Sequence, residues 1–197
     1  MVDHLGRIAD GDQLLYVIAS DRKRAGTLRG PVVGTVMSNL GLEQKLQAEG
    51  VEFLRAKVGD RYVLAMLKEH GGVLGGETSG HLLCLDRTTT GDGLVSALEV
   101  LAVMKRTGRP LAELVAGMPK FPQVMINVRV RERIDPSQSQ VIQDAVRRVE
   151  KVLGSTGRVV LRASGTEPVI RVMIEAEDEA VASRYATELA EVVRTAI

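Results

Sequence analysis

The sequence predicts an α/β protein in two parts: a three-layer α/β/α sandwich over residues 1–118 and a small α+β unit over residues 119–197. In the first part, short continuous apolar runs alternate with helical patterns, which is typical of a parallel sheet with crossover helices. In the second part, apolar and polar residues alternate along a strand, which indicates an antiparallel sheet with one polar face. Pro119 and Pro122 mark the change, so we expect separately folded units joined by a hinge near residues 117–121.

The first part should follow the order β-α-β-α-β and then a helix. Residues 31–37 are apolar except for Thr35, as in a strand buried on both faces. Leu94, Leu98 and Leu101 recur at helical spacing and predict the longest helix, over 91–107. The same reasoning predicts two further strands, at 51–57 and 72–76. It also predicts two further helices, at 40–48 and 60–69.

The second part should follow the order β-α-β-β-α. Val124, Ile126, Val128 and Val130 alternate with mostly polar residues and predict a half-buried strand. An amphipathic helix over 137–153, two strands at 159–162 and 169–175, and a last helix beginning near Asp178 complete the unit.

Composition and charge exclude several classes of protein. The net charge is +1 and aromatic residues make up 3% of the chain, so neither a cationic surface for nucleic acid nor base-stacking platforms are expected. No apolar run approaches the roughly 18 to 20 residues that span a bilayer, and no signal sequence is evident, which favours a cytoplasmic protein without membrane partners. The single cysteine, Cys84, excludes an internal disulfide and lies in an apolar run typical of a core.

The segment Arg162-Ala163-Ser164-Gly165-Thr166-Glu167-Pro168 lies between two predicted strands, with Arg171 following it. Backbone N–H groups around a glycine can form an anion nest, and arginine offers a fork that matches phosphate oxygens. The segment is therefore a candidate phosphate site. An ordinary turn uses the same residue types, so that interpretation stays open.

A second candidate is Gly75-Gly76-Glu77-Thr78-Ser79-Gly80-His81, which follows a predicted strand of the first part. Glu77, Ser79 and His81 supply the mixture of hydrogen-bond donors and acceptors that a polyhydroxylated sugar needs. A glycine-rich connection is the alternative. His81 is not predicted to bind a metal, because His4 and His70 have no ligand-like spacing with it.

Four further segments have structural explanations with some functional potential. Asp60 should cap a helix, with Gly59 beside it and Arg61 free to reach a ligand. Residues 10–12 should form a turn with a helix cap, and residues 21–24 a solvated helix end. Residues 88–93 could hold an anion at a helix start, although a capping loop is the simpler interpretation.

Five motifs in this order resemble the α-D-phosphohexomutase superfamily and, within it, the bacterial phosphoglucosamine mutases. They are VGTVMSNLGLE at 33–43, KVGDRYV at 57–63, GGETSGH at 75–81, TTTGDG at 88–93 and RASGTEPVIRVM at 162–173. The resemblance covers essentially the whole chain. It departs at Thr78, where the glucosamine branch usually has glutamine.

The resemblance implies that residues 1–118 form the superfamily's third domain and residues 119–197 its fourth, a TATA-binding-protein-like α+β fold. It also implies two sets of binding residues: Glu77, Ser79 and His81 for the sugar, with Gly59, Asp60 and Arg61 as weaker candidates, and Arg162, Ser164, Gly165, Thr166 and Arg171 for a phosphate.

The activity implied is interconversion of glucosamine 6-phosphate and glucosamine 1-phosphate through an enzyme phosphoserine. The superfamily's serine segment and its Asp-rich magnesium loop are not among these 197 residues. The resemblance thus implies that this stretch contains no catalytic residue and no metal ligand, is inactive alone, and works with a phosphosugar substrate, magnesium bound elsewhere and the N-terminal half of the enzyme. A non-catalytic phosphosugar-binding module, or a mutase of another hexose phosphate such as mannose or glucose, is the alternative.

Overall fold

The first unit is a four-stranded sheet with helices on both faces. The computed structural model describes residues 1–131, 135–164 and 167–196. The elements of the first unit are α1 Gly11–Arg24, β1 Val32–Thr35, α2 Leu40–Ala48, β2 Phe53–Ala56, α3 Asp60–His70, β3 Leu74–Gly76, β4 Leu82–Cys84, α4 Gly93–Thr107 and α5 Leu111–Val115.

The strand order is β2-β1-β3-β4, with β1 parallel to β2 and β3, and β4 antiparallel to β3. Alternate residues of β1 enter two different cores: Val32 packs with residues of α1 and α4, whereas Val33 packs with residues of α3. Both faces of the sheet are therefore covered, which explains the continuous apolar run and confirms the predicted sandwich.

The predicted element order omits α1, β4 and α5. The addition of β4 matters most, because it makes the Glu77–His81 segment the turn of a β-hairpin rather than a strand-to-helix connection. Helix α1 begins with a capping box, in which Asp10 and Gln13 each accept from the other's backbone N–H, as expected of a helix cap.

The prediction of a solvated helix end at 21–24 is wrong for Asp21 and Arg22, which are buried, and correct for Lys23 and Arg24, which are exposed. The Arg22 guanidinium is 5% exposed and lies 2.9 Å from Asp86 and 2.8 Å from Glu99. Asp21 pairs with Arg106 at 2.6 Å. These pairs join α1 to α4 and to the residues that follow β4.

The second unit has the predicted order, with a three-stranded antiparallel sheet and two helices. Its elements are β5 Gln123–Arg129, α6 Gln140–Leu153, β6 Gly157–Ala163, β7 Val169–Ala176 and α7 Glu179–Ala196, with short 3-10 turns at Pro136–Gln138 and Gly154–Thr156. The strand order is β5-β7-β6. Ile170, Val172 and Ile174 of β7 enter the core with α6 and α7, so Arg171, Met173 and Glu175 lie on the opposite face.

The two compact units are Met1–Lys120 and Phe121–Ile197. Within the described residues, no helix combines the length and the apolar character needed to cross a membrane. Cys84 is buried in the first unit, as predicted, and burial raises the pKa of its thiol to about 11.

Candidate functional site

The loop between β3 and β4 is a tight turn closed by its own backbone. Glu77 N donates to His81 O at 3.0 Å, and Gly80 N donates to Glu77 O at 2.9 Å. The turn presents three of the predicted sugar-binding side chains, since Ser79 and His81 are exposed and Glu77 is half-buried. We call residues 77–81 the hairpin loop.

The Glu77 carboxylate connects the hairpin loop to the start of α3. Its Oε1 accepts from Gly59 N at 2.6 Å, while Ser79 Oγ lies 3.5 Å from its Oε2. A bond from a backbone N–H to a carboxylate is short and strong, so it fixes the direction of this side chain. Oε2 is left as the more available acceptor for a sugar hydroxyl.

His81 lies beside Asp60 and Gly91. Its Nε2 is 3.4 Å from Asp60 Oδ2, on side chains that are both about half exposed. A Cβ atom at residue 91 would come within 2.2 Å of His81 Nε2, so glycine lets the 88–93 segment approach the imidazole. Asp92 of that segment caps α4 by accepting from Leu94 N and Val95 N, in agreement with the capping-loop interpretation.

The start of α3 departs from the prediction in two details. Gly59 is the N-cap and Asp60 the first helical residue, so the Asp60 carboxylate accepts from Arg61 N at 2.7 Å and makes no side-chain cap. Arg61 lies over the Tyr62 ring, 4.7 Å from its centroid, and donates to the Tyr62 hydroxyl. The structure thus brings together Gly59, Asp60 and the hairpin loop, while the Arg61 side chain is held by Tyr62.

In the second unit, Arg162 and Arg171 are direct cross-strand partners on β6 and β7, and Arg171 is also paired with Asn127 of β5. Residues that are paired in this way point to the same face of a sheet. We call Asn127, Arg171 and Arg162 the arginine row. It lies at the end of the sheet next to Ser164. Of its three residues, Asn127 lines a cavity of about 510 Å³, together with Arg129 and the acidic residue Glu167.

The arginine row carries two positive charges on directly paired residues. Among the described residues neither arginine forms an ion pair, and the buried Nε of Arg162 has no hydrogen-bond partner. Burial, and then the neighbouring charge of Arg171, lower the pKa of the Arg162 guanidinium. An anion placed here would satisfy the free donor and relieve the repulsion between the two side chains.

The loop beside the arginine row is closed at its base by Ser164. Ser164 N donates to Val169 O at 2.8 Å, and the buried Ser164 hydroxyl accepts from Glu167 N at 3.4 Å. This hydroxyl therefore helps to shape the turn. Gly165 and Thr166, the other two predicted phosphate-binding residues, lie outside the described residues.

Sequence reasoning missed Asn127 as a site residue, although the alternating pattern of β5 already placed it on the polar face. It also missed Asp12, which is fully buried and accepts at Oδ2 from Thr78 Oγ1 of the hairpin loop at 2.8 Å. Its signal was too weak, since an aspartate near a helix start is usually part of a cap. In the described part of the chain, no cluster of three or more carboxylate, imidazole or thiol side chains could hold a metal ion.

Comparison with known protein families assigns both units. Residues 10–121 match the phosphoglucomutase/phosphomannomutase alpha/beta/alpha domain III, and residues 125–192 match the C-terminal domain of the same family. The chain belongs to the phosphoglucomutase/phosphomannomutase family. The hairpin loop therefore lies in the family's third domain and the arginine row in its C-terminal domain.

Several phosphoglucosamine mutases are similar to this family member over its whole length. That of Alkalilimnicola ehrlichii is 58% identical over 196 residues, and that of Methylococcus capsulatus is 56% identical over 190 residues. These matches cover 100% and 96% of the chain but 44% and 42% of the relatives. The chain thus spans less than half the length of the curated relatives it matches.

Solved structures of the family share the fold at low sequence identity. The crystal structure of Aspergillus fumigatus N-acetylphosphoglucosamine mutase with GlcNAc-6P and magnesium has a TM-score of 0.81 and 21% identity, over 98% of this chain and 49% of that one. A phosphoglucomutase/phosphomannomutase family protein from Burkholderia thailandensis has a TM-score of 0.75 and 24% identity, over 97% and 43%. The predicted fold class is confirmed.

Proposed function

We propose that this chain is the C-terminal part of a phosphoglucosamine mutase, which interconverts glucosamine 6-phosphate and glucosamine 1-phosphate. The similarity to phosphoglucosamine mutases at up to 58% identity supports this reaction. In this proposal the second unit binds the phosphate that is not being transferred, and the first unit orients the sugar. The phosphoserine and any magnesium would be held by the part of the enzyme outside this chain, which spans 44% of its relative from Alkalilimnicola ehrlichii.

The observation that carries the proposal is the arginine row. Two guanidinium groups on directly paired residues match the charge and geometry of a phosphate dianion. Neither forms an ion pair within the described part of the chain, and the buried Nε of Arg162 has no hydrogen-bond partner there. Asn127 would add an amide donor from the neighbouring strand. The phosphate would be bound rather than transferred here, because the described part of the row offers no nucleophile.

The hairpin loop supplies the complementary sugar contacts. Glu77 Oε2 can accept from a hydroxyl, because Oε1 is already directed at Gly59 N. Ser79 and His81 are exposed and can donate or accept beside it. A carboxylate held in one direction can distinguish sugars by the position of a hydroxyl. Inorganic phosphate has no sugar hydroxyl, so its binding should not depend on this carboxylate.

The phosphate contact is tested by titration calorimetry of the 197-residue chain with inorganic phosphate and glucosamine 6-phosphate. Arg162→Ala removes charge-assisted bonds worth roughly 1.5–3 kcal/mol, so affinity for both ligands should fall about 10- to 100-fold. Arg148→Ala on α6 is the matched control, since it removes the same charge from the same unit at an exposed ion pair with Glu188. Equal loss of affinity in both variants would mean that only the overall charge matters. A collapse of stability in Arg162→Ala without loss of affinity would mean that Arg162 is structural.

The sugar contact is tested with Glu77→Gln, which keeps the shape and removes the charge of the acceptor. We expect a several-fold loss of preference for glucosamine 6-phosphate over glucose 6-phosphate and mannose 6-phosphate, with unchanged binding of inorganic phosphate. Glu113→Gln, at an exposed carboxylate of the same unit, is the control. A parent chain that binds the three sugar phosphates equally would favour another hexose phosphate or a general binding module.

A further inference from the structure

Asp12 connects three segments of the first unit from a fully buried position. It is the second residue of α1, and its Oδ2 accepts from Asn39 N at 2.9 Å and from Thr78 Oγ1 at 2.8 Å. Asn39 is the N-cap of α2, and Thr78 belongs to the hairpin loop. One carboxylate oxygen thus joins the starts of two helices to the loop that carries Glu77.

The backbone of α1 reinforces this connection. Gly11 N donates to Thr78 O at 2.9 Å, and a Cβ atom at residue 11 would lie 1.9 Å from Glu77 O. Only glycine allows the helix start to come this close to the hairpin loop. Both the main chain and the side chain of Thr78 are therefore held by α1.

The other carboxylate oxygen of Asp12 is not used by the fold. Oδ1 is buried and has no hydrogen-bond partner among the described residues. Burial raises the pKa of Asp12 and outweighs the hydrogen bonds from Asn39, Thr78 and Ser38, which act in the other direction. A carboxyl group that is half unsatisfied in the interior lowers the stability of the folded chain, so stability alone does not account for it.

We propose that Asp12 is a positioning residue for sugar recognition, which fixes the hairpin loop through Thr78 and thereby directs the Glu77 carboxylate at Gly59 N. The proposal rests on the proposed function of the hairpin loop. Asp12 itself is buried and does not touch the ligand. Its effect passes through two adjacent residues, since a shift of Thr78 moves Glu77 directly.

The experiment measures hydrogen exchange at the amides of Gly59, Glu77 and Gly80 in the ligand-free 197-residue chain. Thr78→Val removes the hydroxyl and keeps the shape, and we expect exchange at these three amides to become on the order of tenfold faster. Exchange in α4 should stay unchanged. Thr78→Ser keeps the hydroxyl and should restore the parent rates.

A second pair of variants tests Asp12 directly. Asp12→Asn replaces a charged acceptor by a neutral one, so exchange in the hairpin loop should increase less than in Thr78→Val but measurably. Asp21→Asn makes the same substitution near the other end of α1, where the carboxylate binds Arg106, and should leave the loop unchanged. Equal exchange at the hairpin-loop amides in Thr78→Val and the parent would overturn the proposal, as would an equal effect of the two asparagine variants.

Ligand binding then separates this proposal from the function on which it rests. Thr78→Val should lower the ratio of affinities for glucosamine 6-phosphate and inorganic phosphate several-fold, with phosphate binding itself unchanged. A loop that loosens without changing this ratio would overturn the positioning role. A parent chain with no preference for the sugar phosphate would contradict the proposed function, while the exchange data would still decide whether Asp12 holds the loop.

Discussion

Two rows of side chains on the same face of the β5-β7-β6 sheet differ in whether their charges are paired. At one end, the buried Glu175 carboxylate lies between Arg158, at 2.5 Å, and Gln123, at 3.1 Å. At the other end, the arginine row places two cations on directly paired residues, and neither forms an ion pair among the residues that the structure describes. The charges of the first row are balanced within the fold, whereas we propose that a bound anion balances those of the second.

The difference separates a structural use of arginine from a binding use. A buried ion pair that meets its own hydrogen-bonding needs has no capacity left for a ligand. Two adjacent guanidinium groups repel each other, and the fold keeps them at some cost in stability. By the same reasoning, we expect that a binding arginine can be replaced without unfolding the chain, while replacing the partner of a structural arginine destabilises it.

The largest effect is expected at the completed row. Glu175→Ala would remove the buried carboxylate that pairs with Arg158, and breaking a buried ion pair typically costs about 3–5 kcal/mol of unfolding free energy. Chemical denaturation of the parent and the variant measures this loss. Phosphate affinity of the fraction that remains folded should be unchanged, and a specific loss of phosphate binding would show that the two rows act together.

A small effect of opposite sign is expected at the arginine row. Arg162→Met removes one of two like charges on directly paired residues, so the ligand-free chain should become more stable by roughly 0.2–1 kcal/mol. The gain should shrink as salt is added, because salt screens the repulsion. A loss of stability at low salt would mean that the stabilising contacts of Arg162 outweigh its repulsion with Arg171.

The fold follows from the sequence where patterns are local. The uninterrupted apolar run of β1 and the alternation in β5 each indicate how many faces of a sheet are buried, and both predictions are confirmed. Helix α1 is absent from the predicted order because its apolar run is nearly continuous and lacks an amphipathic period. Strand β4, with three residues, is too short to be distinguished from a core segment.

Ion pairs and hydrogen bonds between residues far apart in the sequence could not be predicted from it. Arg22 lies in a run of charged residues that is typical of solvent, but its partners Asp86 and Glu99 are 64 and 77 positions away. The same limit applies to Asp12, whose bond to Thr78 spans 66 positions. By contrast, Glu77, Ser79 and His81 are close in sequence, so the sequence alone indicated that their polar groups could act together.

The central claim is that the Nε–H group of Arg162, which has no hydrogen-bond partner among the described residues, donates to a bound phosphate. Nitrogen-15 NMR of the Arg162 Nε–H group, during titration of the 197-residue chain with inorganic phosphate, observes that donor directly. The account predicts a saturable downfield shift and slower exchange with solvent for this signal, with Arg158 Nε unchanged because Glu175 already holds it. A chain that becomes saturated with phosphate while the Arg162 signal stays in place would contradict the account.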